Sequence, residues 1–475
     1  MNNEIIEKGP RIIKVGATFR VEFTSMTHDA RGVCKLDGVN KYGEALTNFP
    51  IFVQNAIKGE AGIIEITEVK KTLGNGKLVK VFKDKTSPHR INPICPIYHE
   101  CGGCQLMHLS YEGQLAFKRE IVRQTLAKIG GITEVTVKKT IPSVDQLYYR
   151  NKVQIPFGIN KGKTVCGFYR NQTHEIIPFD TCYIQSNQMS EIVKFIRNLC
   201  SEFKITGYDE ATGKGLIRHV LLRQAKNGEV MAVLVTTKKD IKGLSELATK
   251  LVKRHPEVVS VMQNVNDANT NVILGNNTYL VYGKEYIEDQ LLNHIFRIGA
   301  HSFYQVNPKT TELLYLQAIK LAKLQKTDNV IDAYCGIATI GISLADSVNH
   351  VYGVEIVSEA INNAKTNISV NKLDNIDVVC AKTEDQIIKW RQNNLKIDAI
   401  FVDPPRKGLE KSIIETIGLM QIPKVVYISC DVATLARDLK QFIELGYEIK
   451  TVQPVDMFPQ TLHVETICCL ISKGK

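Results

Sequence analysis

Val425–Lys440 reads VVYISCDVATLARDLK, and its reading decides the fold. The β-branched apolar run Val425 to Ile428 predicts a buried strand, and ATLARDL predicts a helix. Cys430 falls between them, in the strand-to-helix turn. In an open α/β sheet that turn lies at the carboxyl end of a strand, where ligands and chemistry gather. A lone cysteine is most often a small buried packing residue. Cys430 therefore takes its meaning from the chain around it.

Outward from this stretch, strands alternate with helices from about Asp289 onward, which predicts a parallel sheet. NVIDAYCGIATIGISLA is strand, glycine-containing turn and helix. HVYGVEIV follows, with Glu355 at a strand end 23 residues after Asp332, and IDAIFVDPPRKG ends a third apolar strand at Asp403. Such a layout binds an adenosine-containing cofactor: the turn lies against it, and the acidic residue accepts from its ribose hydroxyls. The turn has Gly336 and Gly341 but no G-x-G-x-x-G, which disfavours a pyrophosphate-binding dehydrogenase. S-adenosylmethionine, which has no phosphate, fits better.

Toward the N-terminus the pattern changes. From Lys14 to Lys83, VGATFRVEF, GIIEITEVKK and KLVKVFK alternate apolar with polar residues, and DGVN and LGNG supply turns. This predicts a five-stranded β-barrel, and residues 1–90 carry a net charge of +5. Small barrels of this kind commonly present a face to oligonucleotides. Next comes CPIYHECGGC, with Cys95, Cys101 and Cys104 at C-x5-C-x2-C. Three thiolates crowded into ten residues, with two glycines beside them, suit a [4Fe–4S] cluster better than the paired knuckles of structural zinc. Cys182 in FDTCYIQ is the best fourth ligand, and Cys166 in TVCGFY is its rival. Residues 105–130 read as a helix ending at Gly130-Gly131. Beyond it, strands combine Tyr148, Tyr149, Arg150, Lys152, Phe168, Tyr169, Arg170, Arg218, His219 and Arg223. Aromatics interleaved with arginines stack bases and neutralise phosphates, although half of such a set packs a sheet.

Composition agrees with this division. The 475 residues suit two or three domains, and 44% hydrophobic with 23% charged content is that of an ordinary globular protein. No apolar run approaches the ~18 residues that cross a bilayer. The start, MNNEIIEKGPR, is polar and carries glutamates, so no secretory signal is expected and the cytoplasm is the expected compartment. Sixty Lys and Arg against 49 Asp and Glu leave +11, which suggests a polyanionic partner. Twelve cysteines in such a compartment point to metal binding or catalysis rather than disulfides.

IGAHSFYQVNP, DAYCGIATIG, VDPPRKG, SCDVATLARD and FPQTLHVE, in this order, resemble the S-adenosylmethionine-dependent RNA uracil-C5 methyltransferases. The resemblance covers about residues 12–475. It implies an N-terminal oligonucleotide-fold (OB-fold) RNA-binding barrel of the TRAM type over 12–84, and a central α+β domain with the iron–sulfur cluster over 85–288. A Rossmann-like class I methyltransferase domain would follow over 289–475. Position by position, Cys430 resembles the nucleophile and Glu465 the base that removes the C5 proton. Gln305, Tyr334, Glu355 and Asp403 resemble cofactor-binding residues, with Asp403 also close to the target base. Cys95, Cys101, Cys104 and Cys182 resemble cluster ligands. The expected activity is 23S rRNA uracil-C5 methylation through a covalent Cys–C6 adduct, with RNA as partner and no obligate protein partner. SCD at 429–431 departs from the SCNP of some members, after the nucleophile. A helix N-terminus just beyond Cys430 is expected to favour its thiolate.

Three alternatives remain. A tRNA uracil-C5 enzyme carries the same catalytic motifs, and the barrel and cysteines favour rRNA over it. DPPR resembles the (Asn/Asp)-Pro-Pro-aromatic motif of exocyclic-amine methyltransferases, but Arg406 replaces the aromatic. A non-catalytic RNA-binding or assembly protein would use Cys430 only for packing.

Overall fold

The computed structural model describes residues 11–474, which form two compact units. The first runs to Tyr98 and takes in Cys104–Gln114 and Gln460–Leu462. The second comprises His99–Gly103, Leu115–Pro459 and His463 onward.

The first unit is built on one sheet in the order Thr18–Glu22, Ala61–Val69, Gly74–Val81, Ala45–Gln54, Gly32–Val39, Ser25–Met26. Ala45–Gln54 and Gly74–Val81 pair in parallel, and the other neighbours are antiparallel. The alternation read in ATFRVEF is real: Phe19, Val21 and Phe23 are buried with Ile51, Ile64 and Ile66. Thr18–Glu22 lies at one edge of the sheet and Ser25–Met26 at the other, with only Phe23 and Thr24 between them. Phe23 N–H donates to the Glu60 carbonyl and Thr24 N–H to that of Val33, so the sheet curls closed through this bend. Six strands appear where five were expected because the bend splits the first in two.

The expected helix over 105–130 is shorter, Tyr111–Thr125, and continues as a wider turn through Leu126–Gly130. Ser110 N–H, which a helix begun at Gln105 would give to the Leu106 carbonyl, donates instead to the His89 carbonyl at 2.7 Å, and the first helical bond runs from Gln114 N–H to Ser110.

The second unit holds two six- and seven-stranded sheets. The first has the order Asn277–Gly283, Val258–Val265, Val230–Thr236, Ile217–Gln224, Lys152–Asn160, Lys163–Cys166, backed by helices Asn187–Glu202 and Leu244–Arg254. The other has the order Ile376–Cys380, His350–Glu355, Asn329–Ala333, Ala399–Val402, Lys424–Ser429, Glu465–Ser472, Tyr447–Val455. Its first five strands are parallel, as the alternation of strands and helices predicts. The last two are antiparallel, because the 456–464 link is too short for a crossover helix. One apolar core runs from Leu221, Met231 and Ile287 to Val330, Phe401 and Ile467, so it continues across the expected boundary at 288. No described helix is long and apolar enough to cross a membrane.

Candidate active site

The strand Lys424–Ser429 ends immediately before Cys430, and the strand Glu465–Ser472 begins at Glu465. The two pair antiparallel with Ser429 opposite Thr466, which sets Cys430 beside Glu465 at the edge of the sheet. On the other side Ala399–Val402 runs parallel with Val402 opposite Tyr427, so Asp403 emerges at the same edge. Residues 35 positions apart in the chain are thus neighbours through strand pairing alone.

The edge is acidic. Burial, with Glu465, Asp403 and Asp431 adding to it, pushes the Cys430 thiol up to about 11, and only Arg406 opposes. Glu465 is buried at 2% exposure and its Oε2 accepts no hydrogen bond from the described residues. Burial, then the neighbouring Asp403, raises it to about 8, against the pull of Arg406. Burial raises Asp403 to about 7. The expected help from a helix terminus fails for a structural reason. The helix starts at Val432, and Asp431 caps it, Oδ1 accepting from Ala433 and Thr434 N–H at 2.9 and 3.0 Å. A carboxylate thereby occupies the terminus that would have favoured the thiolate. Arg406, noted in the sequence only as a departure from an aromatic, is the cation that faces both Cys430 and Glu465 and that sequence reading missed. Its place next to the Asp403-Pro-Pro segment is the signal that marks it.

A pH dependence follows. Unfolded carboxyls ionise near pH 4, whereas Asp332, Asp403 and Glu465 hold their protons to about 7, 7 and 8. Between those limits the folded state binds more protons, so stability falls as pH rises from about 4 to 8. Urea unfolding of the cofactor-free protein should show less stability at pH 8.5 than at 5.5. Glu465→Gln should recover on the order of 2 kcal/mol of that difference. A variant with an unchanged difference would mean that Glu465 is not held protonated.

The turn after Asn329–Ala333 offers a cradle. Tyr334, Gly336 and Ala338 have φ of 63°, 56° and 65°, which folds the backbone tightly there. Asp332 is buried beneath it: Oδ2 accepts from Gly341 N–H at 2.8 Å, while Oδ1 accepts no hydrogen bond among the described residues. A Cβ on Gly341 would stand 2.9 Å from Asp332 Oδ2, so only glycine lets the helix start so close. Burial raises Asp332 to about 7, opposed by the Gly341 N–H and reinforced by Asp403 and Glu355. Glu355, at the end of His350–Glu355, accepts from Gly336 N–H at 3.2 Å, tying the strand end to the turn. Gln305 is buried ahead of helix Pro308–Ala322, and its carbonyl accepts from Asn151 Nδ2. Tyr334, Glu355 and Asp403 thus gather around one turn and strand edge, with Gln305 on the segment entering the next helix.

The segment leading to Glu465 is anchored. Lys118 and Asp456, both fully buried, pair at 2.5 Å, and Lys118 also donates to the Phe458 carbonyl. Tyr149 donates to the Pro459 carbonyl at 3.1 Å. Removing one partner of a buried pair typically costs about 3–5 kcal/mol.

Much of the basic set expected to touch RNA is used internally. Arg218 donates to the carbonyls of Asn266, Ala268 and Thr270, and buried Arg223 to that of Ser302. Arg170 pairs with Glu100 and Glu175. Of the cysteines, Cys95 and Cys104 belong to the first unit, Cys101 and Cys182 to the second, and all four are partly exposed. Gly103 N–H donates to Cys101 Sγ at 3.4 Å. Cys166, by contrast, is buried in Lys163–Cys166, and burial pushes its thiol up to about 11. Among the described residues no group of three or more His, Cys, Asp or Glu is set to hold a metal ion.

Residues 110–473 match the family described as tRNA (uracil-5-)-methyltransferase. A protein of Halalkalibacterium halodurans, described as an uncharacterized RNA methyltransferase, is 42% identical over 96% of this chain and 97% of its own length. A Bacillus cereus protein of the same description is 43% identical over 94% of this chain and 95% of its own. Among solved structures, the Pyrococcus abyssi tRNA (uracil-54, C5)-methyltransferase in complex with S-adenosyl-L-homocysteine is 25% identical. It superposes with a TM-score of 0.72 over 95% of this chain and 99% of that one.

Proposed function

The chain belongs to the tRNA (uracil-5-)-methyltransferase family, and we propose that it methylates C5 of a uridine in RNA through a covalent adduct on Cys430. The observation that carries this reading is the Ser429–Thr466 pairing, which puts a thiol and a buried carboxyl side by side. S-adenosylmethionine, when bound, supplies an electrophilic methyl on a cationic sulfur. Buried Asp332, half-buried Asp403 and the Tyr334–Ala338 cradle fit a cationic adenosine ligand better than an anionic one. Glu355 is suited to its ribose hydroxyls, with Gln305 and Tyr334 alongside.

Uracil C5 is a poor nucleophile. Cys430 gives up its proton and adds through Sγ to C6, which makes C5 an enolate carbon able to accept the methyl. Arg406 favours the anionic thiol, since it is the cation that faces Cys430. Glu465 then takes the C5 proton, and Sγ leaves C6 as the double bond re-forms. A carboxyl held near 8 is a stronger base than an ordinary one once ionised. The target base must be flipped out of any stack to reach the edge.

The test is covalent trapping: 5-fluorouridine RNA with S-adenosylmethionine should give a protein–RNA adduct that survives denaturation. A non-catalytic RNA-binding protein gives none. The substrate proposed is 23S rRNA, supported by the curled N-terminal sheet, since small barrels commonly present a face to oligonucleotides, and by the cysteines. A tRNA substrate is favoured by the name of the matched family and of the Pyrococcus neighbour. Mapping 5-methyluridine in both RNAs from a strain lacking the gene separates the two.

For the cysteines we propose a [4Fe–4S] cluster held by Cys95, Cys101, Cys104 and Cys182. The amide donated to Cys101 Sγ is the contact that a thiolate ligand accepts. Anaerobically purified protein should carry about four irons and four labile sulfides per chain. Cys182→Ser should lose them and Cys166→Ser keep them; zinc without visible absorbance would replace the cluster by a zinc site.

A further inference from the structure

A cavity of about 460 Å³ opens on the second unit, lined by none of the residues around Cys430 or Asp332. It lies over Lys152–Asn160 and Lys163–Cys166, beneath the loop that enters Ile217–Gln224. The loop is set closely on the strand. A Cβ on Gly207 would stand 2.1 Å from the Gly158 carbonyl oxygen, and Tyr208 N–H donates to the carbonyls of both Phe157 and Ile217. Asp209 then closes the turn on itself, accepting from Ala211 N–H and the Thr212 hydroxyl.

Two aromatic groups border this space. The Tyr169 ring stacks on His174 at 5.1 Å and 26°, and Tyr208 lies under the Arg218 guanidinium at 4.7 Å. Glu210 Oε1 accepts from the Tyr169 hydroxyl at 3.2 Å, and Glu210 also pairs with His174 while remaining 45% exposed. Stacking surfaces of this size suit a flat ring.

Charge decides between a base and a phosphate. Glu175, Asp209 and Glu210 all line the cavity. The cation that lines it, Arg218, already donates to three carbonyls. Burial and the adjacent Arg218 push His219 down to about 4, so it is neutral at physiological pH. Arg170 already pairs with Glu175, but Asp209 and Glu210 still turn carboxylate oxygens to this space, so an anionic phosphate meets like charge here. An exocyclic amino group gives a carboxylate N–H donors at the ring edge, whereas uracil has a single N3–H flanked by O2 and O4 acceptors that repel the same oxygens.

On the premise that the substrate is RNA, we propose that this cavity holds one unstacked nucleobase bearing an exocyclic amino group, from an RNA segment flanking the target uridine. The site thus reads a position other than the one methylated. It gives the enzyme a sequence preference beyond the identity of the methylated base.

The test uses the full chain and single-stranded RNAs of about 12 nucleotides, all uridine or with one central guanosine, adenosine or cytidine. Fluorescence anisotropy should show the amino-base RNAs bound about 10-fold more tightly than oligouridine. Glu210→Gln and Tyr208→Leu should each remove that preference, with oligouridine affinity changed by less than about 2-fold. RNA carrying 6-thioguanosine should crosslink to residues 169–176 or 207–211. Equal affinity for all four RNAs, or a preference that survives both variants, overturns the proposal. Trapping with 5-fluorouridine RNA on the same preparations keeps the two readings apart. An intact adduct without base preference sinks the cavity alone, whereas a missing adduct sinks the uracil-C5 reading and leaves the preference as its own readout.

Discussion

Replacing Cys430 by alanine should abolish methyl transfer, a loss on the order of 10⁴-fold or more, while cofactor affinity stays within about two-fold. The size of the effect follows from the chemistry. Without Sγ addition at C6, C5 never becomes an enolate carbon, and proton transfer and positioning do not replace that step. Cofactor binding should survive because Cys430 lies beyond Lys424–Ser429, two strands away from the Asn329–Ala333 turn in the sheet order. Methyl transfer from labelled S-adenosylmethionine and equilibrium dialysis of the same cofactor are the two measurements. Wild-type-like turnover by Cys430→Ala would remove the covalent mechanism.

Glu465→Gln should arrest the reaction one step later, with turnover down by about 10³-fold or more and a methylated protein–RNA adduct accumulating. Glutamine preserves the shape of the side chain but does not take up a proton, so elimination of Cys430 stalls after the methyl has moved. A denaturing gel with methyl-labelled cofactor shows the adduct; an unlabelled adduct, or an active variant, assigns the base elsewhere. The wild type should show a matching pH profile. Glu465 titrates at about 8 and Cys430 at about 11 in the free protein, and both act as anions. Thus kcat/KM should rise with pH through the range 6 to 8. Arg406→Ala removes the cation that favours both anions, so it should move this rise to higher pH.

The acidic edge also sets a division of labour. The free site disfavours the thiolate, by burial and by three neighbouring carboxyl groups. Positive charge delivered next to those carboxyls relieves the repulsion, so a cationic cofactor and a reactive thiol support one another.

Several features were legible in the sequence because they are local. The strand–turn–helix around Cys430, the glycine-containing turn after Asp332, and Glu355 and Asp403 at strand ends follow from hydrophobic period and turn residues. So does the alternation of the N-terminal strands, whose inward residues Phe19 and Val21 are those the pattern selects. Other readings failed where a distant partner intervened. The helix expected from Gln105 starts at Tyr111 because His89, 21 residues back, takes the Ser110 amide that a longer helix would give to Leu106. Arg218 and Arg223 look like phosphate ligands in sequence, yet both are buried and donate to carbonyls of distant segments.

Local pattern is enough to place a thiol after one strand, carboxyls at the ends of others, and a tight turn between strand and helix. Which of these groups meet depends on how the strands pair. The antiparallel register of Ser429 with Thr466 brings Glu465 to Cys430, and that register comes from long-range pairing that no local pattern encodes. The state of the thiol is likewise a tertiary property. The sequence places Asp431 next to Cys430, but it does not show buried Glu465 and half-buried Asp403 beside the thiol, because desolvation depends on everything packed around a group.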